Sequence, residues 1–187
     1  GHGSDDKWVK DWVTAQDKVF ANCSSGRQIP VEPSLDQPEW LQKDRAYQIA
    51  AAHFYSMNYA EAKRRFAEIA QDSASPWQET AEYLVGRTLI RQASLSKSAQ
   101  MSNTLYIEAE QYLSSVAARS PKFGTDAVKL LNLVKYRLRP QERAVELAQN
   151  LSTLSGDRNF RQDLIDYTWL LDKFEKETLE REETKFR

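Results

Sequence analysis

Beyond residue 39 the chain has only three prolines, Pro76, Pro121 and Pro140, and each stands where a helix can begin. Ser75-Pro76-Trp77-Gln78 places a serine at the cap, proline at the first helical position and glutamine three residues after the cap, the pattern of a helix start. Ser120-Pro121 repeats the beginning of that signal and Pro140 opens another segment. Apolar residues recur between these breaks at three- and four-residue spacing, which is the period of a helix and not of a strand.

Composition supports the same class. There are 20 Ala, 18 Leu and 13 Gln against 9 Val and 6 Ile, with 6 Gly and 6 Pro in 187 residues. Straight-chain residues favour helices, whereas β-branched residues and glycine turns favour sheets. An all-α fold of about eight helices is expected, and a Rossmann-type sheet or an all-β fold is excluded.

Trp8, Trp12, Ala15, Val19 and Phe20 predict a first amphipathic helix, within a segment spanning 5–22. Residues 23–39, with Gly26, Pro30, Pro33 and Pro38, read as a long loop that tethers it. Helices then follow over 40–57, 59–71, 76–93, 104–119, 121–139 and 140–155, with a polar break at 94–103. Asn58 is expected to cap the second of these, with Glu61 reaching back to it, and Gly156 to end the last. Asp157 or Asn159 would cap a final helix carrying Phe160, Leu164, Tyr167, Leu171 and Phe174. Residues 177–187 form a charged tail; over 172–187, eleven of sixteen residues are charged. Gly1-His2-Gly3-Ser4 reads as a remnant of an expression tag.

An internal repeat is visible. Tyr59-Ala60-Glu61-Ala62-Lys63-Arg64-Arg65-Phe66 aligns with Tyr106-Ile107-Glu108-Ala109-Glu110-Gln111-Tyr112-Leu113, its alanines 47 residues apart. The preceding helices align on Ala50 and Gly86, 36 apart, and the difference of 11 equals a polar insertion around Leu95 to Leu105. A weaker third copy starts at Glu142-Arg143-Ala144. Small residues of this kind let antiparallel helices approach closely, while aromatic residues fill the gap to the next pair.

On these residues the chain resembles the tetratricopeptide repeat family, whose unit is a helix-turn-helix of about 34 residues. The resemblance covers 46–76 well, 81–121 with the insertion, and 122–156 poorly; His53 and Asn132 depart from the pattern. It implies antiparallel helix pairs stacked as a short right-handed superhelix over 40–176. It also implies a protein or peptide partner, held in a concave groove lined by the first helix of each pair. That face would include Asp44, Tyr47, Ala51, Phe54 and Tyr55 from one unit and Thr80, Tyr83, Arg87, Ile90 and Arg91 from the next. Tyr47, Phe54, Tyr55, Tyr83, Arg87 and Arg91 are the expected partner-binding residues; aromatic residues and arginine dominate interface energetics. The opposing expectation is that Phe54 and Ile90 are core and both arginines pair with Glu79 or Glu82. Some family members grip a terminal carboxylate with Lys and Asn here, where this chain has tyrosine.

Enzyme chemistry is not expected. Apart from His2 the one histidine is His53, so neither a histidine metal site nor a Ser-His-Asp triad can be assembled. No glycine-rich phosphate loop exists, and no cofactor or metal is expected. A net charge of -1 gives no general attraction for nucleic acid. No apolar run reaches the roughly 20 residues of a membrane helix, so no membrane insertion by this segment is expected. Asn22-Cys23-Ser24 and Asn150-Leu151-Ser152 match the glycosylation tripeptide, a match that arises readily by chance. A first helix on a 17-residue tether can dock on its own stack or on a neighbour's, and exchange would give a homodimer.

The expected function is thus a non-enzymatic interaction scaffold. The alternative is an accessory, sensor or assembly domain of a larger protein. Cell-envelope assembly proteins of bacteria carry similar repeats, which leaves periplasm and cytoplasm both open.

Overall fold

The computed structural model describes residues 7–153 and 159–185, so the first six residues, 154–158 with the expected stop at Gly156 and cap at Asp157, and the last two residues lie outside the described part. Eight α-helices occur there and no strand: α1 Lys7–Ala21, α2 Glu39–Tyr55, α3 Tyr59–Gln71, α4 Gln78–Leu95, α5 Ala99–Arg119, α6 Gly124–Leu138, α7 Pro140–Ser152 and α8 Phe160–Lys185. The chain divides into two compact units, 1–131 and 132–187, with the division inside α6. In the first, each helix from α1 to α5 packs on its neighbour in sequence; in the second, α7 packs on α8. From α2 to α5, links of a few residues make successive helices fold back on each other.

The repeat seen in the sequence is a repeat of buried positions. Tyr59 and Tyr106, Ala62 and Ala109, Phe66 and Leu113, and Ile69 and Val116 are all buried. On the preceding helices Ile49 and Val85, and Ala50 and Gly86, are buried at the other spacing. A Cβ on Gly86 would lie 2.4 Å from Leu113 Cδ2 and 2.6 Å from its Cγ. Glycine there is what lets α4 and α5 close on one another.

The helix starts depart from expectation in instructive ways. The Trp77 amide donates to Ser75 Oγ at 3.2 Å and the Phe123 amide to Ser120 Oγ at 2.9 Å. Both Ser-Pro pairs therefore cap a tight first turn, and regular helix begins only at Gln78 and Gly124. The capping box at Asn58 does not form: its side chain makes no cap bond. Glu61 is held instead by Arg64 and Arg65, at 2.6 and 2.8 Å, charged donors that outcompete a backbone amide. The expected break at 94–103 shrinks to residues 96–98, since α4 runs on to Leu95. Ser98 accepts from the Met101 amide and starts α5 at Ala99, so most of the inserted residues are extra turns of helix. Likewise α8 continues through 177 to Lys185 instead of stopping at 176.

The loop over 23–39 is strapped down by two buried polar side chains. Asn22 gives its amide to the Gln28 carbonyl at 2.8 Å and accepts the Gln28 amide at 2.7 Å, so both ends of its side-chain amide are engaged. Arg45, 3 % exposed, donates to the Val31 carbonyl, the Asp11 carbonyl and the Asp11 carboxylate at 3.0–3.2 Å. Gln48 adds bonds to the Trp12 carbonyl and to Gln16, both at 3.1 Å. Through these, α1 docks on α2 of its own chain.

Candidate functional site

The expected binding face belongs to α2 and α4, both in the first unit. Asp44 at its start serves the fold: its two oxygens accept the indole N–H groups of Trp12 at 3.0 Å and Trp77 at 2.7 Å, tying α1 and the α3–α4 turn to α2. Tyr47 is half-buried, stacked on Trp77 with centroids 4.2 Å apart and tilted against Phe66. Tyr83 is likewise half-buried and stacked on Phe123 at 4.8 Å. The two tyrosines, 36 residues apart, are thus backed by the aromatic residue of the turn that follows each pair. Phe54 meets Tyr55 and Tyr59 edge-on at 5.5 and 5.8 Å. Ala51 and Ile90 are buried and belong to the core.

What remains on the surface is Tyr55, Arg87 and Arg91, with the edges of Tyr47, Phe54 and Tyr83 beside them. Among the described residues neither arginine has a carboxylate partner. Glu79 is taken by the Ser120 hydroxyl and the Lys122 amide, and Glu82 by Arg119. Arg87 lies over the Tyr83 ring, its guanidinium carbon 5.9 Å from the centroid. Burial raises the pKa of both Tyr47 and Tyr83, making each phenol a weaker acid, while the Arg87 charge works in the opposite direction on each. One guanidinium therefore sits within electrostatic reach of both phenols. By contrast Arg45, Arg64, Arg65 and Arg119 are each in an ion pair.

The sequence did not reveal the indole–carboxylate bridge at Asp44 or the aromatic backing at Trp77 and Phe123. The available signal was the aromatic residue within two positions of each Ser-Pro pair.

His53 is half-buried, with Nδ1 3.3 Å from the Asn58 amide nitrogen. Burial lowers its basicity, and the nearby Arg65 charge adds to that. Cys23 is exposed. Among the described residues no three metal-ligating side chains cluster, and no helix is long and apolar enough to cross a membrane.

The Glu61 carboxylate on α3 shows how strongly local pairing sets charge here. The Arg64 guanidinium holds it below its ordinary 4.5, to about 2, with Arg65 assisting. A depressed carboxylate stabilises the fold above its unfolded value, and that contribution is lost as pH falls through the folded one. Stability is therefore expected to decline between about pH 4.5 and 2, with Glu61 among the last carboxylates to protonate. Carboxyl-detected NMR titration checks it, and Arg64→Gln should move the Glu61 midpoint back upward.

No protein-family model matches the chain, and neither curated proteins nor solved structures show a significant similarity to it.

Proposed function

We propose that the protein is a non-enzymatic interaction scaffold of the tetratricopeptide-like kind, and that the α2–α4 face receives a peptide or protein segment that supplies a carboxylate. The observation that carries this reading is the pair Arg87 and Arg91, one helical turn apart, exposed and, among the described residues, without acidic partners. Their neighbouring glutamates are engaged elsewhere. An arginine fork matches a carboxylate in two parallel hydrogen bonds, and Tyr55, Tyr47 and Tyr83 offer flat surface beside it. Aromatic and arginine side chains together are the usual energetic centres of an interface. Because Tyr83 stacks on Phe123, its removal would disturb packing; the arginines are the cleaner probes. The reading applies equally to an independent adaptor and to an accessory domain of a longer protein.

The test is selection of binding peptides from a random displayed library, followed by titration against wild type and the Arg87→Glu, Arg91→Glu variant. Selected sequences should be rich in Asp and Glu, and the variant should bind them about a hundredfold more weakly, the size expected when charge-assisted bonds become like-charge contacts. Equal binding by a folded variant sinks the proposal.

A further inference from the structure

The second unit carries a face that its own fold leaves uncovered. Of α8, Leu170 is fully buried. On the same side Asp163 receives the Asn150 side-chain amide at 3.3 Å and lies 3.8 Å from the Arg143 guanidinium. Those contacts fix which side of α8 faces α7. Of the apolar residues expected on this helix, Tyr167 and Phe174 are half-buried, whereas Phe160, Leu164 and Leu171, with Leu179 beyond them, are 49 %, 46 %, 45 % and 54 % exposed. Together with Thr168 and Glu175 these exposed apolar residues form one stripe along about five turns of helix. Arg161 lies at the edge of this stripe and Glu175 within it, near its two ends; both are exposed, and among the described residues neither is in an ion pair.

The charges on this stripe say what covers it. We propose that α8 packs against α8 of a second copy of this chain, antiparallel, about a two-fold axis at Thr168. That operation sets Leu164 beside the partner subunit's Leu171 and Leu171 beside the partner subunit's Leu164. It also sets Arg161 opposite Glu175 of the partner subunit, twice by symmetry, as an isologous interface requires. A parallel pair would instead set Arg161 against the partner subunit's Arg161 and Glu175 against the partner subunit's Glu175, so the sequence selects the antiparallel arrangement. The inference is independent of any peptide bound in the first unit.

Sedimentation velocity over a concentration series tests it. Wild type should show a reversible monomer–dimer equilibrium, and Leu164→Glu with Leu171→Glu should be monomeric. Arg161→Glu should weaken the dimer about tenfold through like-charge contact, and Arg161→Glu combined with Glu175→Arg should restore it. In a Cys23→Ser background, Thr168→Cys should cross-link two copies on mild oxidation, which reads the register even if a charge variant folds poorly. A wild type that stays monomeric at every concentration overturns the proposal. So does a dimer that survives the double leucine substitution, a charge swap that restores nothing, or Thr168→Cys that fails to cross-link.

Discussion

Arg45→Ala is expected to release α1 from the body of the protein and to lower stability by about 3 kcal/mol, the lower end of the cost of breaking a buried ion pair. The guanidinium is 4 % exposed and its Asp11 partner 39 %, so the stranded carboxylate can be partly rehydrated, which sets the lower end. The cost is not confined to that pair. Arg45 also satisfies the carbonyls of Val31 and Asp11 and receives support from Gln48 at 3.0 Å. One side chain thus joins α1, the 23–39 loop and α2. For a chain of this size the melting temperature should fall by roughly 6–12 °C, and amide exchange should accelerate across Lys7–Ala21 before it does elsewhere. Arg45→Met with Asp11→Asn should recover part of the loss, because no charge is then left without a partner. Unchanged protection of α1 in Arg45→Ala would falsify the assignment of Arg45 as its anchor.

The second large effect is at Gly86. Gly86→Val forces branched atoms into space already held by the fully buried Leu113 and should cost about 3 kcal/mol, the upper range for overpacking. Gly86→Ala sets two terms against each other. Alanine gains about 1 kcal/mol of helix preference over glycine, but its Cβ would sit 2.6 Å from Leu113 Cγ, a branch point that cannot swing aside as a methyl end can. The steric term should win, by about 1 kcal/mol. Leu113→Ala alone should cost about 2–5 kcal/mol through the cavity it leaves. In that background Gly86→Ala should become neutral or stabilising. Additive losses in denaturant titrations of the four proteins would show that the two residues are not in the contact described.

Helix class and order were legible because they rest on local chemistry: spacing of apolar residues, proline at helix starts and the scarcity of glycine. The repeat was legible for a related reason, since the same small and large residues recur wherever helices cross. Errors fell where competing side-chain partners or helix extent decide, and at the site where those partners are distant in sequence. Glu61 matched a capping pattern, but Arg64 and Arg65 offered it stronger bonds. Ser94 to Asn103 looked too polar for helix, yet a capped helix with an exposed side tolerates serine and asparagine. On the candidate face, the arrangement of Tyr47, Tyr83 and Arg87 at repeat spacing could be read from the residues alone. That Asp44 binds two indoles, or that Glu79 and Glu82 turn away from the arginines, could not, because those partners lie some 30 to 40 residues distant in sequence.

The most direct measurement is a backbone amide NMR titration of the full chain with a library-selected acidic peptide. The account predicts saturable shifts centred on Tyr55, Tyr83, Arg87 and Arg91, spreading to Tyr47 and Trp77 through the stacked rings, and absent in Arg87→Glu, Arg91→Glu. Shifts centred on another surface, or the same shifts in the variant, would contradict it.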